Sequence, residues 1–114
     1  MAVTAFGTAT LEAALLGLPT LSFGAPHPLT RRLAQPLLRT KHLALPNILL
    51  EREAMPEFLL ERSQAGQLQE AVSSLLHSLP AAWVEARSLS LEVGHKLGGP
   101  GFARRACDAL EPLL

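Results

Sequence analysis

A glycine and two threonines near the start of the sequence are the residues best suited to hold an anion. Gly7 follows a short apolar segment, and Thr8 and Thr10 stand at the start of an alanine- and leucine-rich stretch. Backbone N–H groups at the start of a helix lack intrahelical partners and bind phosphate well. Glu12, one turn further along, is placed to accept hydrogen bonds from the diol of a sugar attached to that phosphate. The pattern therefore predicts a phosphate and sugar subsite, and it leaves open the alternative that Thr8 only caps the helix while Glu12 complements its dipole.

A second group of candidate residues is basic. Residues 27–42 contain four lysines and arginines, no acid, and interleaved leucines. Such a stretch can lie on an anionic membrane surface or hold a lipid phosphate, and we assign that contact to Arg31 and Arg32. An ordinary solvated helix face is the alternative, because the acids of the chain stand elsewhere.

Asn47 is the third candidate, since it follows Leu45 and Pro46 at the end of a predicted strand. Open α/β sheets bind ligands in the loops at the carboxyl ends of their strands, and an asparagine amide offers both a donor and an acceptor. A turn residue that bonds its own backbone is the alternative. His77 and His95 have no plausible third ligand nearby in the sequence, so we predict no metal site.

The composition limits the classes of protein that the chain can represent. Its 114 residues allow one domain, and its ten basic and ten acidic side chains balance, which argues against nucleic acid as a partner. The single cysteine, Cys107, excludes an intramolecular disulfide and a Cys-rich zinc site; we predict that it is a small core residue, and that Trp83 is a core or interface anchor. No apolar run approaches the ~20 residues of a membrane-spanning helix. We therefore expect a cytoplasmic chain that is soluble or peripheral to a membrane.

Hydrophobic spacing predicts an α/β fold with about three short parallel strands followed by helices. The first part reads as strand, helix and strand, because Gly17 and Pro19 end the first helix. The predicted strands are residues 1–5, 20–23 and 42–45. The predicted helices are residues 9–16, 29–38 (interrupted by Pro36), 56–61, 67–79, 80–97 and 102–113. This division predicts a nucleotide subsite in residues 1–47 and a helical tail in residues 48–114.

Three strands are fewer than a doubly wound sheet normally contains. We therefore expect the chain to be the tail of a larger domain. The first strand would then leave unpaired backbone groups at the sheet edge, so we expect the isolated chain to self-associate or to pack loosely.

Seven short motifs follow one another along the chain. They are Ala5-Phe6-Gly7-Thr8-Ala9-Thr10-Leu11-Glu12-Ala13-Ala14-Leu15, Pro28-Leu29-Thr30, Leu33-Ala34, Leu45-Pro46-Asn47, Arg52-Glu53, Pro56-Glu57-Phe58-Leu59-Leu60 and Leu97-Gly98-Gly99-Pro100-Gly101. In their order and spacing they closely resemble the C-terminal region of the lipid-A-disaccharide synthase family, and the resemblance covers essentially the whole chain.

The resemblance implies a partial Rossmann-like C-terminal domain of a GT-B glycosyltransferase. It implies that Gly7, Thr8 and Thr10 approach the phosphates of UDP, that Glu12 lies near the ribose, and that Asn47 takes part in activity. The implied reaction moves diacylglucosamine from its UDP carrier onto a diacylglucosamine phosphate acceptor, which gives a lipid A precursor and UDP without a cofactor. The implied partners are these two substrates, the missing N-terminal half, and the inner membrane at its cytoplasmic face. The fragment alone is expected to be inactive.

The chain differs from the sequence usual in that family at four places. Phe6 stands in place of a serine, Gly24-Ala25 in place of a Tyr-Arg pair, and Leu50-Glu51 in place of Ala-Gly, and Pro36 interrupts a predicted helix that the family carries through. The first two differences and the basic stretch favour an alternative function, a noncatalytic helical module that binds a membrane surface or a partner chain.

Overall fold

The computed structural model describes residues 1–25, 41–60 and 65–113. These residues form an α/β structure with three parallel strands, which confirms the predicted fold class. In chain order the elements are β1 (Ala2–Ala5), α1 (Thr8–Leu15), β2 (Thr20–Gly24), α2 (Leu45–Leu50), β3 (Glu57–Leu59), α3 (Ala65–His77), α4 (Leu79–Lys96), α5 (Phe102–Leu110) and a 3-10 turn (Glu111–Leu113).

The sheet has the order β1-β2-β3, with β2 in the centre. Ala2 pairs with Thr20, and Ser22 pairs with Glu57. Strand β2 pairs with a strand on each edge, and its first three residues are buried. Strand β1 alternates between half-buried and exposed residues, as expected of a strand with one covered face.

The chain reverses from α1 into β2 through a glycine. Gly17 adopts a φ of 65°, and its N–H donates to Ala14 O at 3.0 Å while Leu18 N–H donates to Ala13 O at 3.0 Å. This pair of bonds is the Schellman motif, which satisfies helix carbonyls that would otherwise lack donors. The strand–helix–strand unit predicted from Gly17 and Pro19 is thus confirmed.

The third strand lies later in the chain than we predicted. Of the predicted strand at 42–45, residues 42–44 precede α2 and Leu45 is the first residue of α2, and the segment expected to be helical at 56–61 contains β3 instead. Pro46 favours the helix start, where its missing N–H costs nothing. Strand β3 exists because it pairs with β2, where Ser22 N–H donates to Pro56 O at 3.0 Å, and such long-range pairing leaves little local signal. The predicted helix at 29–38 lies outside the described residues.

The core lies where α1, α2 and α4 pack together. Its buried members come from helices and from the segments that precede α2 and β3: Ala14, Ala44, Met55, Leu89 and Val93. The three helices predicted after residue 64 are present within a few residues of their predicted ends, and the last one finishes as a 3-10 turn.

The structure corrects two predictions about single residues on these helices. Cys107 is exposed on α5, a helix with no buried residue, so the prediction of a core position is wrong. Trp83 is 39 % exposed on α4, which excludes a core position, and its role as an interface anchor stays a prediction. Within the described part of the chain, no helix is both long and apolar enough to cross a bilayer.

Candidate functional site

The turn between β1 and α1 has a backbone that only glycine adopts readily. Gly7 is the N-cap of α1 with φ 146° and ψ −164°, and a Cβ built there meets nothing within 4 Å. Because Gly7 has no side chain, the helix start has no side-chain cap, so the alternative role of Thr8 as the cap is not realised. Both Gly7 and Thr8 are exposed. The first N–H groups of α1 therefore open toward solvent at the carboxyl end of β1, where parallel sheets bind ligands.

Glu12 lies one turn beyond Thr8 on the same helix, and its side chain is exposed. Residues four apart on a helix are neighbours on its surface. The structure thus brings Gly7, Thr8 and Glu12 to one accessible surface, and their roles in binding stay predictions.

Thr10, the fourth residue of the predicted subsite, is fully buried. Its hydroxyl donates to Gly7 O at 2.7 Å and accepts from Leu45 N–H at 3.3 Å. Since a hydroxyl has one proton to donate, this contact with Gly7 uses it. Thr10 is therefore joined to the turn from the inside of the molecule, which sets it apart from the three exposed residues.

Asn47 is fully buried on α2 and bonded on both ends of its amide. Its Oδ1 accepts from the N–H groups of Ala54 and Met55, each at 2.8 Å, and its Nδ2 donates to Met55 O at 2.8 Å. The side chain thus fixes the segment that leads from α2 into β3. The catalytic role implied by the resemblance stays a prediction, and the observed contacts are those of a residue that orders nearby backbone.

Glu57, at the start of β3, binds the segment before α2. Its Oε2 accepts from Leu43 N–H at 3.0 Å and from Ala44 N–H at 2.9 Å, and its Oε1 lies 3.1 Å from His42 Nδ1. Burial raises the pKa of Glu57, but hydrogen bonds from Ala44, Leu43 and the side chains of His42 and Asn47 outweigh burial, so the net pKa is lowered. Glu57 lies 13 and 14 residues from its two backbone partners, so no local sequence pattern predicts these contacts.

Phe6 and Gly24 meet at the carboxyl ends of β1 and β2. A Cβ built on Gly24 would lie 2.5 Å from Phe6 Cδ2 and 2.7 Å from Cε2. The ring therefore occupies the space beside Gly24 where a side chain would begin. Two positions that differ from the usual residues of the resembled family are thus in direct contact.

The remaining candidates do not join this surface in the described part of the chain. Arg31 and Arg32 lie outside the described residues. His77 Nδ1 lies 2.7 Å from Ser73 O on its own helix. The described ranges contain no cluster of three or more His, Cys, Asp or Glu side chains that could hold a metal ion.

An open parallel sheet with a glycine turn between its first strand and first helix defines a partial Rossmann-like domain. Residues 1–93 of the chain match the model of the family described as lipid-A-disaccharide synthetase. That match covers most of the 114 residues, so the chain belongs to the lipid-A-disaccharide synthetase family, a family of glycosyltransferases. Searches of curated proteins and of solved structures returned no match.

Proposed function

We propose that the chain forms part of the UDP-sugar site of a hexosyltransferase of the GT-B type. The proposed reaction transfers diacylglucosamine from UDP to a diacylglucosamine phosphate acceptor and releases UDP. The observation that carries the proposal is the Gly7 turn, an accessible helix start without a side-chain cap, in a chain that belongs to this family.

The chemistry of the turn suits a diphosphate. Free N–H groups and the helix dipole favour an anion at the start of α1, and Gly7 allows a close approach of the backbone. The exposed Thr8 hydroxyl adds a donor, and the exposed Glu12 carboxylate adds an acceptor for the ribose diol. Donors fixed in advance would stabilise the charge that develops on UDP as it leaves.

The rest of the proposed assembly requires partners. The acceptor-binding domain implied by the resemblance has no counterpart among these residues, so we expect the chain alone to bind UDP weakly and to lack transferase activity. An N-terminal half would complete the site, self-association of the chain is the alternative partner, and no cofactor is needed. We further propose peripheral attachment at the cytoplasmic face of the inner membrane through Arg31 and Arg32. Co-sedimentation with anionic against neutral vesicles tests that attachment.

The phosphorus NMR signals of UDP test the proposed subsite, because they respond even to weak binding. Adding the chain to UDP should shift the diphosphate signals, and Thr8→Ala should weaken the fitted affinity about three- to tenfold, the effect of one lost hydrogen bond. Cys107→Ala is the matched control, since that exposed side chain lies on α5, and it should leave the affinity unchanged. Unshifted diphosphate signals at millimolar chain would refute the proposed function.

A further inference from the structure

Three consecutive backbone N–H groups before and at the start of α2 are held by side chains from distant parts of the chain. Leu43 and Ala44 donate to Glu57 of β3, and Leu45 donates to Thr10 of α1. The N-cap of α2 is Ala44, which has no polar side chain to satisfy these donors. The start of α2 is thus capped from two sides by other elements.

One of these two caps also contacts the candidate site. The Thr10 hydroxyl bonds Gly7 O at 2.7 Å while it accepts from Leu45 N–H. Gly7 O also accepts from Thr10 N–H at 3.1 Å. The carbonyl of the turn is therefore held by Thr10 twice, and the same hydroxyl ties the turn to the start of α2.

Glu57 holds the other side of the same segment. Its carboxylate is largely buried, with 14 % of the side chain exposed, and it accepts two backbone N–H groups on one oxygen. Bonds to an ionised acceptor are about twice as strong as neutral ones. Leu43–Ala44 is thereby fixed against β3, so that Leu45 N–H faces the Thr10 hydroxyl.

We propose that Thr10 and Glu57 are positioning residues for the UDP subsite. Their side chains bind the backbone of residues 43–45 and so fix the orientation of the Gly7 turn. The inference rests on the proposed function and refines it, because Thr10 acts from beneath the turn and does not touch the nucleotide. Gly7 and Thr8 alone then present the phosphate-binding groups, and the preorganised turn costs less to order when UDP binds.

The test compares Thr10→Val with Thr10→Ser. Valine keeps the shape but removes the hydroxyl, whereas serine restores it. Two readouts are needed: the hydrogen-exchange rate of the Leu45 amide in the absence of UDP, and the UDP affinity from the phosphorus signals. We expect Thr10→Val to accelerate amide exchange at Leu45 and to weaken the affinity for UDP about tenfold. Thr10→Ser should restore the wild-type exchange rate and the wild-type affinity.

Thr20→Val is the matched control for Thr10→Val. Thr20 is also a buried threonine, and its hydroxyl donates to Leu18 O at 2.8 Å, but it lies at the opposite end of the sheet. It should change neither the Leu45 exchange rate nor the UDP affinity. Glu57→Gln perturbs the same segment and replaces the test if Thr10→Val does not fold. It should accelerate amide exchange at Leu43 and Ala44 and weaken the affinity for UDP about threefold.

Each contrary outcome is distinct. Weaker UDP binding with unchanged Leu45 exchange means that the Thr10 hydroxyl contacts the ligand, which overturns the inference. Faster exchange at Leu45 with unchanged UDP affinity means that the Thr10 hydroxyl only caps α2, and this result also overturns the inference. If the wild-type chain itself leaves the UDP signals unshifted, the proposed function fails and the inference falls with it.

Discussion

The sheet-containing region, residues 1–60, and the helices after residue 64 are held in different ways. In the first region the buried polar residues Thr10, Thr20, Ser22 and Asn47 all bond backbone groups, and no buried side-chain polar atom in the described residues lacks a partner. On α3 and α5, by contrast, no described side chain is buried. Polar contacts thus specify the region with the candidate site, whereas the helical region depends on its attachment through α4.

Helix α4 joins the two regions through one face. Its buried residues are Ala86, Leu89 and Val93, and Ser90 Oγ donates to Leu15 O at 2.7 Å. The opposite side carries apolar residues in water, with Leu91 76 % exposed. The position of the candidate site therefore depends on the polar interior and on this single apolar face, and four comparisons of variants test this dependence.

The largest effect is expected at Asn47. Asn47→Asp replaces the Nδ2 donor by an oxygen facing Met55 O and buries a charge, so it should lower the free energy of unfolding by roughly 4 kcal/mol. Gln69→Glu makes the same amide-to-acid change at an exposed position of α3 and should stay within about 0.5 kcal/mol. Urea unfolding measures both. A cost below about 1 kcal/mol for Asn47→Asp would show that the polar interior does not specify this region.

Two leucines on α4 test the apolar attachment. Leu89→Ala leaves a cavity in the core and should lower the free energy of unfolding by about 3 kcal/mol. Leu91→Ala, two residues away, should lower it by less than about 0.5 kcal/mol. Thermal and urea unfolding of the two variants give the comparison. Equal costs would mean that α4 attaches through a different face.

The contact between Phe6 and Gly24 predicts that substitutions there are not additive. Gly24→Ala forces the ring to move and should cost about 2 kcal/mol in the wild-type chain, but much less in a Phe6→Ala background. A double-mutant cycle of unfolding free energies isolates the coupling. If Gly24→Ala costs the same in both backgrounds, the ring does not restrict position 24.

The smallest effect concerns pH and Glu57. Because the folded-state pKa of Glu57 is lowered, its stabilisation is complete above the ordinary glutamate pKa of about 4.3 and is lost as pH falls through the folded value. Glu57→Gln should therefore cost ~1 kcal/mol near neutral pH, and this cost should disappear in acid. Glu85→Gln, at an exposed position of α4, is the control. If Glu57→Gln lowers the free energy of unfolding by the same amount at every pH, the ionised Glu57 carboxylate does not stabilise the fold.

The comparison of regions also explains what the sequence could predict. Helices after residue 64 follow from leucine spacing, and the unit from β1 to β2 follows from Gly7, Gly17 and Pro19, which act through neighbouring backbone. Strand β3 pairs with a strand far away in the sequence, and the hydrogen bonds of Thr10 and Glu57 also join distant residues. The spacing of hydrophobic residues therefore does not predict them. The exposed position of Cys107 was missed for a related reason, because the composition of a helix does not say whether another element covers it.

A map of amide shifts on the chain during titration with UDP locates the nucleotide site residue by residue. Uridine and inorganic phosphate, titrated separately, distinguish the two parts of the nucleotide. We expect UDP to shift the amides of Gly7 and Thr8 most and phosphate to shift the same two amides less. We expect the Glu12 amide to respond to UDP and uridine but not to phosphate. Shifts centred on α3, α4 or α5, or no shift at millimolar UDP, would contradict a UDP subsite at the Gly7 turn.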